Sequence, residues 1–254
     1  MTPCALPPSF LARPIAHRAL HDSNVARVEN GMAAIDAAIA GNFGIEIDVQ
    51  PSRDGQAMVF HDYDLGRLTT TTGAIAQRTA KELSELTYTT GETGIPTLPE
   101  VLSRVAGRVP LLIEIKDQDG RMGPNVGPLE HAVAEAISDY TGDVAVMSFN
   151  PHAVAKMAQL APTVPRGLTT SDYRAEDWGL LNATTRARLR GIPDFNRTGA
   201  CFISHHAAAL DDPPVTRLKQ RGVAILCWTV TSADMETEAR KVADNITFER
   251  YVPA

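Results

Sequence analysis

Short apolar runs alternate with longer amphipathic stretches along most of the chain. The runs begin near residues 13, 44, 110, 144, 164, 200, 223 and 245, each of strand length and bounded by turn-forming residues. Between them apolar residues recur at helical spacing. Met32, Ile35 and Ile39 follow Asn30, which reads as an N-cap, and Gly41 ends that helix. Thr97 and Glu100 form a capping box for a helix through Val105, and Asn150-Pro151 caps another. Further helices are predicted over 129–140, 212–221 and 233–242, with 173–190 helical only in parts. Residues 52–55 read as a turn ending in glycine, and 58–61 as the returning arm of a hairpin. With that arm set aside, eight strands alternate with helices. Helical crossovers make such strands parallel, and the count predicts an α/β fold, a closed (β/α)8 TIM barrel. An open doubly wound sheet competes, but it usually carries a Gly-rich phosphate turn after its first strand, and none is present.

Residues 62–96 break the rhythm. They are Thr-rich and polar around one short helix, for which Thr79 and Glu82 have capping-box spacing. The segment reads as a module inserted into a single domain of residues 1–254, serving either as a lid or as a structural excursion. The Gly/Pro-rich stretch 117–128 is expected to be a mobile loop.

Composition narrows the classes. A chain of 254 residues with 44% hydrophobic content can bury one large core. Its net charge is −6 without a Lys/Arg cluster, so there is no electrostatic footprint for nucleic acid or for stable association with an anionic membrane. No apolar run approaches transmembrane length, and the opening residues lack the basic and apolar regions of a signal peptide. Cys4, Cys201 and Cys227 are far apart and form no Cys-x-x-Cys pair. That usage suits a reducing cytoplasm, the expected location, and argues against a thiolate zinc site. The oligomeric state stays open, a homodimer included.

Candidate chemistry gathers at strand ends. In Gly-Ile-Glu-Ile-Asp-Val from Gly44, Glu46 and Asp48 share a strand face, and Glu114 and Lys116 share another. Barrel reaction sites lie at the C-terminal ends of the strands. His17-Arg18, Glu46/Asp48, Glu114/Lys116, Ser148, Ser204-His205 and Trp228 all fall there. Three converging carboxylates cannot all stay ionised without compensation. One hard divalent cation, Mg2+ or Ca2+, is the natural counter-charge. With Arg18 and Lys116 counted, the site carries roughly one net positive charge, suited to a monoanionic phosphodiester. The competing structural reading is plain ion pairing of Glu114 with Lys116 and of Glu46 with Arg18, which burial makes costly. His17 and His61, each beside acids, form a candidate acid/base pair. His21, His131 and His152 read as surface residues. His205 and His206 occupy opposite faces, and His205 is the one expected to enter the site.

These residues resemble the glycerophosphodiester phosphodiesterases, metal-dependent TIM barrels. The resemblance runs through I-A-H-R at 15–18, V-E-N at 28–30, G-I-E-I-D-V-Q-P-S-R-D-G at 44–55 and M-V-F-H-D-Y-D-L-G-R-L-T at 58–69. It continues through I-P-T-L-P-E-V-L at 95–102, L-I-E-I-K at 112–116, M-S-F at 147–149 and C-W-T-V at 227–230. It implies metal binding by Glu46, Asp48 and Glu114, acid/base roles for His17 and His61, and a phosphate grip by Arg18. Lys116 would orient a phosphate oxygen or a carboxylate, Glu29 would support the site, and Trp228 would pack on glycerol carbons or simply fill core. The implied reaction releases sn-glycerol 3-phosphate and an alcohol from a small phosphodiester. The chain departs from the family pattern at Ala19 (glycine there), at V-E-N-G (Pro-Glu-Asn-Thr) and at Glu249 (aspartate). Rival readings are a lysophospholipase D-type enzyme with the same centre, an enolase-like enzyme with a lysine base, and a non-catalytic binding barrel.

Overall fold

The computed structural model describes residues 5–253, so Cys4 lies outside the described residues. Among the described residues nine strands form one sheet: β1 (Ile15–Ala16), β2 (Gly44–Pro51), β3 (Ala57–Val59), β4 (Leu111–Ile115), β5 (Val144–Ser148), β6 (Arg166–Thr170), β7 (Phe202–His206), β8 (Ala224–Val230) and β9 (Asn245–Phe248). The order is β1-β9-β8-β7-β6-β5-β4-β2-β3, and β1 also pairs with β2. Eight parallel strands therefore close into the expected TIM barrel. The extra strand, β3, is the hairpin arm, antiparallel to β2 with Val49 opposite Val59. Its turn needs Gly55, whose φ is +83°.

The alternation read from β2 becomes a division between inside and outside. Ile45, Ile47 and Val49 pack outward with Ala34, Ile35 and Ala38 of the helix α2 (Met32–Ala40). Glu46, Asp48 and Gln50 consequently face the barrel interior. The lower interior is apolar, filled by Ile15, Leu112, Ala145, Met147, Phe202 and Leu226. Gly167 makes room for Phe202, since a Cβ there would lie 2.3 Å from its ring. A four-residue helix, α1 (Ser9–Ala12), closes this end with the fully buried Phe10. Burying such a ring is worth about 2–3 kcal/mol. Asn245 fastens the plug by donating Nδ2 to the Phe10 and Arg13 carbonyls. One helical turn is too short to show a period, so the sequence pattern missed it.

Several boundaries shift. β1 is only two residues long, because Pro14 lacks a donor and Arg18 and Ala19 turn away at φ +51° and +63°. Asn30 does not cap α2; Gly31 precedes the helix, and Asn30 sits at φ +59° with its amide committed elsewhere. In the polar stretch 173–190 the helix is Ala183–Arg190, capped by Asn182. Residues 62–96 hold the short helix Ala80–Ser84 behind the expected Thr79–Glu82 box, with an apolar cluster that includes Leu65, Ile75, Leu83 and Tyr88. The loop expected to be mobile is pinned at its start. Asp117 is buried and accepts from Asn150 Nδ2 at 2.8 Å and from the Met122 amide at 3.0 Å. Among the described residues no helix is long and apolar enough to cross a membrane.

Candidate active site

A cavity of about 950 Å³ opens at the C-terminal ends of the strands. His17, Arg18, Glu29, Glu46, Asp48, His61, Glu114, Lys116 and Trp228 all line it, so the nine residues to which the family resemblance gives a role meet there.

Strand register brings the acids together. β2 and β4 pair with Asp48 directly opposite Glu114, and Glu46 lies two residues back on the same face. One oxygen from each of Glu46, Asp48 and Glu114 lies within 4.8 Å of the others, and all three residues are buried. Their ionisation diverges. Burial, then repulsion from Asp48 and Glu114, pushes Glu46 well above the usual carboxylate range. Burial also opposes charge on Asp48, but Lys116, His61, Arg18 and the Asn30 amide outweigh it and hold that carboxyl well below the range. Asn30 donates Nδ2 to Asp48 Oδ2 at 3.0 Å and accepts from the Asp48 amide at 3.2 Å. Lys116 Nζ lies 2.8 Å from Glu114 and 3.2 Å from Asp48. Three buried carboxylates with only oxygen donors, one of them forced toward its neutral form, fit a hard divalent cation.

Each candidate histidine rests on a carboxylate through Nδ1. His17 Nδ1 lies 2.9 Å from Glu249 Oε2, and His61 Nδ1 lies 2.7 Å from Asp62 Oδ1. Burial lowers the His17 pKa, Glu249 offsets part of that, and Arg18 adds to it. Glu249 itself is held well below the usual range by hydrogen bonds from His17 and His21. His21 is thus not a simple surface histidine: it lines the cavity with Nε2 3.5 Å from Glu249. The loop after β1 folds back to place it, with the Ala19 amide donating to the Glu46 carbonyl at 2.9 Å. Positive φ at Ala19 explains why glycine suits that position.

Arg18 is fixed from three sides. Its amide donates to Glu46 Oε2 at 2.8 Å, Nη1 donates to Glu29 Oε1 at 2.8 Å, and Nε lies 3.6 Å from Asp48. Trp228 donates Nε1 to the Ser204 carbonyl at 3.1 Å and meets Phe149 edge-on at 5.4 Å. Trp178 packs at a tilt against Phe149 at 4.9 Å, so an aromatic wall forms part of the cavity lining.

His205 does not enter the site. Its ring is fully buried, bonded to Thr170 Oγ1 at 2.8 Å, while the adjacent His206 packs 5.2 Å from Trp228. Ile203 and His205 share the outer face of β7, so His206 is the inward residue of the pair. Ser148 is also buried away from the cavity, donating to the Ile115 carbonyl.

Known proteins resemble the chain both in sequence and in fold. The model of the glycerophosphoryl diester phosphodiesterase family matches residues 17–247. A glycerophosphodiester phosphodiesterase of Caldanaerobacter subterraneus is 32% identical over 246 residues, covering 91% of each chain. One from Bacillus subtilis is 27% identical over 209 residues, 75% of this chain and 68% of the relative. Among solved structures, an Oleispira antarctica phosphodiesterase in complex with the product sn-glycerol-3-phosphate superposes with a TM-score of 0.76 at 23% identity, covering 95% of this chain and 94% of that one. A Thermotoga maritima glycerophosphodiester phosphodiesterase gives 0.69 at 21% identity over 92% of each chain.

Proposed function

The chain belongs to the glycerophosphoryl diester phosphodiesterase family and is a phosphoric diester hydrolase; from that premise we propose that it cleaves soluble glycerophosphodiesters to sn-glycerol 3-phosphate and an alcohol. The observation that carries this reading is the meeting, in one cavity, of three buried acids with two histidines that each rest on a carboxylate. The product bound to the Oleispira relative supports the same leaving pattern.

Glu46, Asp48 and Glu114 would hold one divalent cation, Mg2+ or Ca2+. When bound, such an ion draws charge from the phosphate oxygens and acidifies the attacking hydroxyl. Arg18, anchored by Glu29, grips a non-bridging phosphate oxygen. Lys116 aligns Asp48 and Glu114 through its contacts with both and keeps Asp48 ionised. His17, kept neutral by burial, takes the proton from the attacking oxygen, which is water or the glycerol 2-hydroxyl. His61, oriented by Asp62, returns a proton to the departing alkoxide. Trp228 covers the glycerol carbons.

Lys116 is poorly suited to be the base of an enolase-like reaction, since its ammonium is already held by Glu114 and Asp48. Although burial works against its charge, Glu114 and Asp48 raise its pKa above the ordinary lysine value. The lysophospholipase D-type reading keeps one specific support, the wall of Phe149, Trp178 and Trp228, which would suit an acyl chain. Glycerophosphocholine and lysophosphatidylcholine, assayed side by side with product identification, separate the two. Choline and sn-glycerol 3-phosphate from the soluble diester are expected. Turnover confined to the lysolipid would replace this reading with the second.

A further inference from the structure

Arg67 belongs to the short turn Leu65–Arg67 in the inserted segment, and its guanidinium faces two carboxylates at once. Nη1 and Nη2 donate to Glu29 at 2.9 and 2.6 Å, while Nε and Nη2 donate to Asp62 at 2.5 and 3.1 Å. Each carboxylate also holds a group of the reaction centre. Glu29 Oε1 accepts from Arg18 Nη1 at 2.8 Å, and Asp62 Oδ1 lies 2.7 Å from His61 Nδ1. An unbroken chain of charged contacts therefore runs Arg18–Glu29–Arg67–Asp62–His61.

We propose that Arg67 is a positioning residue that locks the phosphate-gripping arginine and one proton-transferring histidine into a single unit. The proposal rests on the roles given above to Arg18 and His61, and it makes the inserted segment part of the reaction centre. The physical reason is the shape of the guanidinium. A planar fork can meet two carboxylates in two fixed directions, and a lysine ammonium cannot. Without it, Glu29 would have Arg18 as its sole cationic partner and would draw that side chain away from phosphate. Asp62 would regain its rotamers, and the His61 ring with it. Arg67 is nearly half exposed, and the apolar cluster beneath the segment is built from other side chains. Its replacement should therefore leave the fold intact.

If Arg67 merely staples the segment to the barrel, its loss lowers the melting temperature and leaves kinetics and ligand affinity alone. Arg67→Ala and Arg67→Lys separate the two roles. Turnover of glycerophosphocholine is measured for each, together with calorimetric titration of the cation-loaded proteins with sn-glycerol 3-phosphate, a readout that needs no turnover. The expected kcat/KM of Arg67→Ala is down roughly 10- to 100-fold, the range typical of residues that orient a functional shell. Its affinity for sn-glycerol 3-phosphate falls in parallel, Arg67→Lys recovers little, and added guanidinium ion restores part of the lost rate. Values for Arg67→Ala within about threefold of wild type in both measurements, whatever the melting temperature, would overturn the proposal. If the wild type itself cleaves no glycerophosphodiester, the reaction assigned above fails separately. The titration still decides the matter for Arg67: equal affinity in wild type and Arg67→Ala overturns it.

Discussion

His17 and Glu249 stand 232 residues apart in the sequence, yet Nδ1 of one lies 2.9 Å from Oε2 of the other. They meet because β1 pairs with β9, where the barrel closes. Glu249 replaces the aspartate of the family pattern, and it also reaches His21.

That contact has a kinetic consequence. Burial lowers the His17 pKa, and the Glu249 hydrogen bond works against the fall. Glu249→Gln removes the opposing charge, so His17 loses its proton at still lower pH. For a base, the acidic limb of the kcat/KM profile then moves to lower pH, and the plateau kcat drops about tenfold as the base weakens and loses its orientation. A shift of the alkaline limb instead would make His17 the acid. An unchanged profile would remove Glu249 from the chemistry.

The acids should separate metal-free from metal-loaded stability. Glu46 is driven toward its neutral form by burial and by its two neighbours, and Gln has nearly that shape. Metal-free Glu46→Gln should melt no lower than metal-free wild type, and the rise in Tm expected on adding Mg2+ or Ca2+ to the wild type should be lost in it. Asp48→Asn should behave oppositely in the metal-free state and cost about 3 kcal/mol, because it leaves Lys116 and Arg18 short of a buried partner. Calorimetry with and without EDTA checks both.

His205 offers a test away from the site. Burial lowers its pKa from 6.5 to about 4. Between those values the unfolded chain binds a proton that the folded chain does not, so stability is lost as pH falls through that window. From pH 7 to pH 5 this amounts to about 2 kcal/mol. Urea unfolding should show His205→Gln losing that much less than wild type over the same interval.

What the sequence made legible follows from which forces are local. Alternation in 44–49 put Glu46 and Asp48 on one strand face, and two-residue spacing in the apolar run 110–116 did the same for Glu114 and Lys116, since a strand face is fixed by parity. The same rule failed for His205 and His206, because the strand is buried on both faces as far as His205, so its pattern does not mark the inner face, and a slip of one residue exchanges the two rings. Asn30 was misread because the side chain that caps a helix is equally able to bind a carboxylate. His21 and Glu249 come together only through barrel closure, which no local pattern encodes. The Arg67 network was hidden for a related reason: Asp62 and Arg67 share one visible motif, but Glu29 lies 38 residues before Arg67, in the connection between β1 and β2.

The most direct test of the account is the release of sn-glycerol 3-phosphate from glycerophosphocholine by EDTA-stripped protein as Mg2+ or Ca2+ is added back, for wild type, His17→Ala and His61→Ala. The account predicts no turnover without the cation, saturable recovery in wild type, and rates in both histidine variants lower by about 10²- to 10⁴-fold with cation binding retained. Full activity in the stripped protein, or wild-type rates in either variant, would contradict it.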